Sequence, residues 1–333
     1  MATLLLFVDG VGIGADDPAT NPFAAIDARR LAPVRGHAAE DGASLRALDA
    51  TLGVPGLPQS ATGQTTLFTG VNAAKVLGRH QVGIPGPTLH PVLERESLFR
   101  KLVSAGRNPT FANGYTRAHL EARRPRWSAS TRMVRASGVP LRMLEGPGGG
   151  ERALIHDYTG EWAARRGIDV PRRTAGEAAT VLSAMLEDHD LVLYEYFLTD
   201  LAGHRGSPEE RVEQARRVEA LTEAVLRKVD LDRHDVLWTS DHGNLEESDH
   251  DRHTRNPVPL LGWGRGAREI VGRVAGMADL TPDRTIISSG AKGIIFFSLA
   301  VLLEPGDEVL VPTPDWLSYP KMVQAAGGKT VLV

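Results

Sequence analysis

Three strand-like, mostly apolar runs in this sequence are each followed closely by an acidic residue. The runs and their acids are 4–8 with Asp9, 191–197 with Asp200 and 236–239 with Asp241. A short continuous apolar run is typical of a strand that is buried on both faces of a sheet. Open α/β sheets bind their ligands beyond the carboxyl ends of the strands. We therefore expect the three carboxylates to lie near one another at one edge of a sheet.

Helical patterns separate these runs. The segment 207–210, Ser-Pro-Glu-Glu, combines an N-cap, a proline at the first helical position and a capping-box glutamate, and an amphipathic stretch continues to about Lys228. We expect a second helix over 176–187, and a fourth apolar run spans 258–263. Strands that alternate with helices predict an α/β fold with a doubly wound, mostly parallel sheet.

The composition changes at two places along the chain. Residues 79–173 are rich in Arg, Pro and Gly and predict a cap that is inserted over the strand ends; a set of poorly packed surface loops is the alternative. The core domain is then expected to comprise 1–78 and 174–278. Residues 279–333 are predicted to form a separate, unrelated α/β fragment.

The overall composition excludes several kinds of site. The 333 residues include no Cys, so disulfides and thiolate metal sites are excluded, and any metal must be held by the 11 His and the 41 acidic residues. The formal net charge of −3 gives no electrostatic reason to expect nucleic acid or an anionic membrane as a partner. The first apolar run lacks a basic flank, so we expect a buried strand and not a signal peptide, and a cytoplasmic location.

Histidines accompany the acids at spacings that suit metal binding. Asp200 and His204 share one face if their segment is helical, and Asp241 and His242 are adjacent at a strand end. His253 precedes the run 258–263 and is favoured over His250 in the polar run 246–252. Carboxylate and imidazole groups both suit Zn²⁺ or Mn²⁺. The alternatives are a solvated acid with an incidental histidine, and a capped turn.

A candidate nucleophile lies in the segment 59–64, Gln-Ser-Ala-Thr-Gly-Gln, which precedes a predicted helix. Exposed N–H groups and the dipole at a helix N-terminus favour both an alkoxide on Ser60 and a bound phosphate. An ordinary Ser or Thr N-cap is the alternative.

Taken together and in this order, the motifs resemble the alkaline phosphatase superfamily over about 1–275. The closest resemblance is to the branch that contains phosphopentomutase and cofactor-independent phosphoglycerate mutase. The resemblance implies two divalent metal ions, Mn²⁺ or Zn²⁺. One ion is expected on Asp9, Asp241, His242 and Ser60, and the other on Asp200, His204 and His253.

The same resemblance implies that Ser60 attacks a phosphate ester of a small metabolite and forms a phosphoserine. Hydrolysis of this intermediate makes a phosphatase, and return of the phosphate to another oxygen makes a mutase. The sequence departs from the mutases at Gly63-Gln64, where they have Gly-His, and Thr62 is a rival nucleophile. The predicted cap offers Arg117, Arg123, Arg124 and Arg126, of which Arg117 is the candidate substrate-binding residue. A metal-binding pseudoenzyme of the same fold is the alternative function.

The last 50 or so residues resemble a different family. The segments 281–293 and 302–320 look like a class I/II aminotransferase, in which Gly290 and Ala291 would contact the phosphate of pyridoxal phosphate and Trp316 would stack on its ring. The Schiff-base lysine of that family lies far downstream of this turn, so we expect a fragment without aminotransferase function. A gene fusion, a frameshift or assembly artefact and a cloning accident are the competing origins, and we expect the fragment to pack poorly or to form an isolated appendage.

Overall fold

The computed structural model describes residues 1–39, 42–121, 126–145, 150–278, 291–313 and 318–333. The chain divides into two compact units, Met1–Ala275 and Gly276–Val333. The strands are β1 Ala2–Val8, β2 Ser44–Leu48, β3 Pro109–Phe111, β4 Gly114–Tyr115, β5 Arg142–Met143, β6 Leu191–Tyr196, β7 His234–Thr239, β8 Val258–Trp263, β9 Glu308–Val311 and β10 Lys329–Leu332.

The α-helices lie mainly between these strands, and a short 3₁₀ helix spans Ala32–Arg35. Their bounds are α1 Pro22–Ala25, α2 Ser60–Thr69, α3 Ala73–Leu77, α4 His90–Glu96, α5 Leu98–Ser104, α6 Arg117–Leu120, α7 Ala129–Ser137, α8 Glu161–Ala164, α9 Ala175–Leu186, α10 Leu198–Arg205, α11 Pro208–Lys228, α12 Arg265–Ala278, α13 Ala291–Leu302 and α14 Tyr319–Ala325. The expected capping box at the start of α11 is present, with Ser207 and Glu210 bonded to each other's backbone N–H.

The central sheet of the first unit has the strand order β2-β8-β7-β1-β6-β3. β1 pairs in parallel with both β6 and β7, and β3 pairs in parallel with β6. β8 runs antiparallel to both of its neighbours. The predicted α/β fold with a mainly parallel sheet is therefore confirmed. Because β8 is antiparallel to β7, the residues that precede β8 lie at the sheet edge where β7 ends.

Both faces of the sheet are covered, as the continuous apolar runs predict. Leu4 and Leu6 of β1 belong to a core cluster that includes Leu182 of α9 and Val218 of α11. Residues on the opposite face of β1, such as Phe7, belong to a second cluster that includes side chains of α2 and α7. Burial of these side chains on both faces fixes the sheet and hence the positions at which its strands end.

The segment 79–173 contributes to the sheet as well as to the surface above it. It supplies the edge strand β3, and Phe99 and Met133 of its helices pack in the second core cluster. The described part of the segment predicted as a cap therefore includes an edge strand of the central sheet and two helices that pack in its core. The sequence analysis did not assign these elements to the core domain.

The second unit has its own small sheet. β9 and β10 pair in parallel with each other, and Val311 and Val323 are buried. Of the apolar side chains in this unit, Val301, Leu302 and Leu310 are among those exposed. Among the described helices of the chain, none combines the length and apolar character that crossing a membrane requires.

Candidate metal centre

Three side chains, which follow β1, begin α2 and follow β7, converge on one nitrogen of His242, which also follows β7. Nε2 of His242 lies 3.0 Å from Oγ of Ser60, 3.3 Å from Oδ1 of Asp9 and 3.6 Å from Oδ2 of Asp241. His242 is fully buried, and both aspartates are nearly so. The structure thus brings together the four residues that the sequence analysis assigned to one ion.

This arrangement differs from a serine–histidine–aspartate triad. In such a triad the acid holds the ring nitrogen that does not face the serine. Here Ser60 and both carboxylates face Nε2 of His242, while Nδ1 faces the carbonyl oxygen of Gly243 at 3.3 Å. Oxygen and nitrogen ligand atoms that surround one point are typical of a cation site.

A second group lies beside the first. Oδ1 of Asp200 is 3.5 Å from Nε2 of His204 and 3.4 Å from Nε2 of His253, and the two nitrogens are 2.9 Å apart. Nδ1 of His204 lies 2.6 Å from the carbonyl oxygen of Asp251, and Nδ1 of His253 lies 2.8 Å from that of Pro58. Because a carbonyl oxygen only accepts, each Nδ1 donates to it, and each ring directs Nε2 into the group.

The residues fit divalent cations on three further observations. Oδ1 of Asp9 and Oδ2 of Asp241 are buried without a hydrogen-bond partner. Burial, together with the negative charges of Asp241 and Asp200, raises the pKa of Asp9 well above its ordinary value. The ligand atoms of Asp9, Asp200 and His242 all lie within 4.8 Å of one another, as do those of Asp200, His204 and His253. A buried group of acids and imidazole lone pairs is stabilised by positive charge, which metal ions supply.

The fold explains why these residues meet. Asp9 and Asp241 follow the parallel strands β1 and β7, and Asp200 and His204 are one turn apart on α10. His253 precedes the reversed strand β8, so it reaches the same edge from the other direction. A side chain at Gly10 would place Cβ 2.7 Å from Cβ of Asp200, so only glycine allows β1 and α10 to approach so closely.

Glu246 connects the loops that carry the ligands, and the sequence analysis did not identify it. This carboxylate is fully buried and accepts hydrogen bonds from the backbone N–H groups of Gly12 and Asn244, both at 2.8 Å, and from Oγ1 of Thr254 at 2.6 Å. These donors belong to the loops after β1, after β7 and before β8. The sequence signal that could have identified this residue is an acid two positions after Asn244. The acid lies in a polar run, however, and such a run predicts solvated side chains.

The nucleophile segment favours Ser60 over Thr62 by position. Ser60 is the first residue of α2, with Gln59 as N-cap, and its hydroxyl faces His242. Thr62 is fully buried and donates its hydroxyl hydrogen to the carbonyl oxygen of Gln59. Gln64 donates from Nε2 to Oδ2 of Asp9 at 3.0 Å, so the residue that departs from the mutase pattern orients a candidate ligand.

The other predicted residues lie away from this centre or outside the described part of the chain. Arg117 is exposed on α6 and does not line the cavity beside the metal centre, whereas Arg126 does. His250 lies 3.4 Å from Glu247 in a separate surface group. Ala291 begins α13. Gly290, Trp316, Arg123 and Arg124 lie outside the described residues.

A cavity of about 940 Å³ adjoins the centre. Its lining includes Asp9, Ser60, Asp200 and His204 from the ligand groups. It also includes aromatic side chains from 155–168 and from the end of β6. The candidate nucleophile and ligands are therefore accessible to a small molecule.

Comparison with known sequences supports two separate likenesses. Residues 166–286 match the Metalloenzyme superfamily, and residues 267–333 match the class I and II aminotransferases. The first match includes the predicted ligands between Asp200 and His253 but neither Asp9 nor Ser60, and it covers fewer than half of the 333 residues. The likeness to a metalloenzyme superfamily supports the metal-binding interpretation over that range.

The second likeness is short. The probable aspartate/prephenate aminotransferase of Thermus aquaticus is 47% identical over 55 residues, which are 16% of this chain and 14% of that protein. The aspartate aminotransferase of Bacillus subtilis is 46% identical over 52 residues, 16% of this chain and 13% of that protein. The chain thus spans a small part of the length of these curated relatives. The predicted aminotransferase-like C-terminal segment is confirmed.

Two solved structures are similar to this chain at low sequence identity. The PH0037 protein from Pyrococcus horikoshii has a TM-score of 0.49 and 15% identity, and the match covers 87% of this chain and 98% of that one. Alkaline phosphatase from the Antarctic bacterium TAB5 has a TM-score of 0.45 and 12% identity, with 80% and 92% covered. Likenesses of this degree support no functional conclusion.

Proposed function

We propose that this chain is a metal-dependent phosphoryl-transfer enzyme with Oγ of Ser60 as its nucleophile. The observation that carries the proposal is the position of this hydroxyl, which lies 3.0 Å from Nε2 of His242 and lines the cavity beside a group of three carboxylates and three imidazoles. The match of 166–286 to the Metalloenzyme superfamily supports it.

The two ligand groups are suited to two divalent cations, one held by Asp9, Asp241, His242 and Ser60 and the other by Asp200, His204 and His253. Mn²⁺ and Zn²⁺ both accept such oxygen and nitrogen ligands. When bound, the two cations would neutralise charge on a phosphoryl group and lower the pKa of the serine hydroxyl.

The protein itself supplies the nucleophile and its orientation. Ser60 begins α2, so unpaired N–H groups of the first turn lie where a phosphoryl group would bind. In the transfer, a bond forms between Oγ of Ser60 and phosphorus, the ester P–O bond breaks, and the serine proton leaves with the alcohol. The resulting phosphoserine then transfers its phosphoryl group to water or to another hydroxyl of the same substrate.

Substitution of the two hydroxyl residues tests the nucleophile. With Mn²⁺ present, Ser60→Ala is expected to abolish hydrolysis of phenyl phosphate, and mass spectrometry of quenched wild-type enzyme is expected to find phosphate on the peptide containing Ser60. Thr62→Ala is the matched variant two residues away and is expected to retain the phosphoserine. Activity that survives Ser60→Ala but fails in Thr62→Ala would overturn the assignment.

Product analysis separates the two possible outcomes of the second step. Release of inorganic phosphate from a sugar phosphate or a phosphoglycerate would indicate a phosphatase, and formation of an isomeric ester would indicate a mutase. Protein that binds two equivalents of Mn²⁺ but turns over no phosphate ester would instead favour a metal-binding module of the same fold.

A further inference from the structure

Glu195 is an acidic side chain on the inward face of a central strand. Leu191 and Leu193, on the same face of β6, belong to the second core cluster, so an apolar residue is the expected occupant of this position. Glu195 is buried and lines the cavity of the metal centre. Burial of a carboxyl group is unfavourable, so its presence here needs a reason other than packing.

The position of Glu195 is fixed from two sides. Oγ of Ser130, itself fully buried on α7, donates a hydrogen bond to Oε2 at 2.5 Å. The side chain of Asn113 bonds the backbone of the same residue twice, donating to its carbonyl oxygen at 2.7 Å and accepting from its N–H at 2.9 Å. These contacts extend the ordered structure beyond the end of β3 and hold the carboxyl group at the cavity wall.

The neighbouring hydroxyl groups continue this polar wall. Oγ of Ser128 lies 2.9 Å from Oγ of Ser130 and 2.8 Å from Oγ1 of Thr131, which in turn lies 2.6 Å from the phenolic oxygen of Tyr115. Ser128, Thr131 and Tyr115 all line the cavity. The wall therefore offers one carboxyl group and several groups that both donate and accept hydrogen bonds.

No cation balances this acid among the described residues. The side-chain hydrogen bond to Glu195 comes from a neutral hydroxyl, and the charge that acts on it is the like charge of Asp241. A structural role in an ion pair is therefore excluded for the described part of the chain. A carboxyl group held at a cavity wall by neutral donors is suited to bind hydroxyl groups of a ligand.

The cavity also has room for more than a phosphate. Its volume of about 940 Å³ exceeds that of a phosphoryl group several times, so the organic part of an ester would lie in it beyond Ser60. The lining includes Phe197 and His156, whose rings stack with centroids 4.0 Å apart, and Trp162, which meets His156 edge to face. Aromatic faces pack against the C–H groups of a polyhydroxylated molecule while polar groups bind its hydroxyls.

We propose that Glu195 is a specificity-determining residue that accepts a hydrogen bond from a hydroxyl group in the alcohol part of the phosphate ester. The inference rests on the proposed phosphoryl transfer through Ser60. It assigns Ser130 the role of a positioning residue that orients the carboxyl group of Glu195. By this role, Glu195 would favour phosphate esters whose alcohol part bears a hydroxyl group over esters that lack one.

Two substrates that differ in hydroxyl content test the role of Glu195. With Mn²⁺ present, kcat/KM is measured for glucose 6-phosphate and for phenyl phosphate, and their ratio is compared between wild type and variants. The assay is run at pH 8, where the carboxyl group is ionised, and loss of a hydrogen bond to a charged group is worth about ten- to a hundredfold. The ratio is expected to fall by that factor in Glu195→Leu and by less in Glu195→Gln, mainly through a higher KM for glucose 6-phosphate.

Control variants separate this role from a general effect. Glu151→Gln changes an exposed acid away from the cavity and is expected to leave the ratio unchanged, and Ser130→Ala is expected to lower it partially. An unchanged ratio in folded Glu195→Gln and Glu195→Leu would overturn the proposal. Phosphoethanolamine is a third substrate, because its ammonium group is the other kind of ligand that a carboxylate binds. A loss of kcat/KM in the Glu195 variants that is confined to phosphoethanolamine would also overturn the proposal. Absence of turnover of both glucose 6-phosphate and phenyl phosphate in wild type would instead count against the phosphoryl-transfer proposal itself.

Discussion

Glu195→Gln is expected to remove one component of the pH dependence of stability that we expect for the wild type. Burial raises the pKa of Glu195 from 4.5 to about 7. The negative charge of Asp241 also raises this pKa, while the hydrogen bond from Ser130 lowers it. Because the pKa is raised on folding, the protonated form is favoured in the folded state. Its stabilising contribution is fully present below pH 4.5 and is lost as the pH rises through about 7.

The size of the effect follows from the shift. A shift of about 2.5 pKa units corresponds to about 3 kcal/mol, since each unit is worth about 1.4 kcal/mol. Most of this is lost between pH 5 and pH 8. Glutamine keeps the volume and the acceptor for Ser130 but does not titrate. The variant is therefore expected to gain stability relative to wild type by about 2 to 3 kcal/mol between these two pH values.

Urea unfolding of metal-free protein in EDTA, followed by circular dichroism at pH 5, 6, 7 and 8, measures this difference. Glu151→Gln serves as the control, because that glutamate is exposed and its substitution is expected to leave the pH dependence of wild type unchanged. Parallel pH profiles for wild type and Glu195→Gln would show that the carboxyl group is as well solvated folded as unfolded, which would refute the reasoning.

Three further predictions concern the metal centre. Glu246→Ala is expected to lower Mn²⁺ affinity by about ten- to a hundredfold in calorimetric titration, since it releases the ligand loops; unchanged affinity would contradict this. Gly203→Ala would place Cβ 2.5 Å from atoms of Asn244 and is expected to cost about 1 to 3 kcal/mol in thermal unfolding, and an unchanged Tm would contradict the packing. His204→Ala is expected to retain one Mn²⁺ per chain by elemental analysis and His250→Ala two; the reverse result would exchange their roles.

The sequence predicts the central elements well because their signals are local. The runs 4–8 and 258–263 correspond to β1 and β8, and the helix expected after Ser207 is α11. A continuous apolar run and a capping box each involve residues that are close together in the sequence, so each can be recognised from a short segment. The assignment of acids to one sheet edge follows from strand direction alone, and the structure places Asp9 and Asp241 there.

The direction of β8 and the membership of β3 could not be read from local patterns. An apolar run has the same composition in either direction, so the sequence cannot show that β8 is antiparallel and that His253 reaches the edge for this reason. β3 has three residues, too few for a recognisable run, and its place in the sheet depends on pairing with β6. Strand order is set by contacts that are distant in sequence.

The sequence analysis also did not identify the buried carboxyl groups of Glu195 and Glu246, because local patterns do not show which acids are buried. Glu195 interrupts the apolar run 191–197, and such an interruption is the signal that could have identified it. Glu246 follows a ligand motif within a polar run, where a solvated acid and a buried one look alike. Only the structure shows that Glu246 accepts four hydrogen bonds from the ligand loops, while Glu195 faces a cavity.

The charges of the two ligand groups indicate how the centre could attract a phosphate ester. The carboxylates of Asp9, Asp200 and Asp241 carry three negative charges when ionised, and the three histidines are neutral where Nδ1 carries the single proton. Two divalent cations would exceed this charge by one, and ionised Ser60 would balance it. With a neutral serine, the two ligand groups and their cations would thus together carry one net positive charge. Arg117 can therefore be exposed and absent from the cavity lining without weakening the case for an anionic substrate.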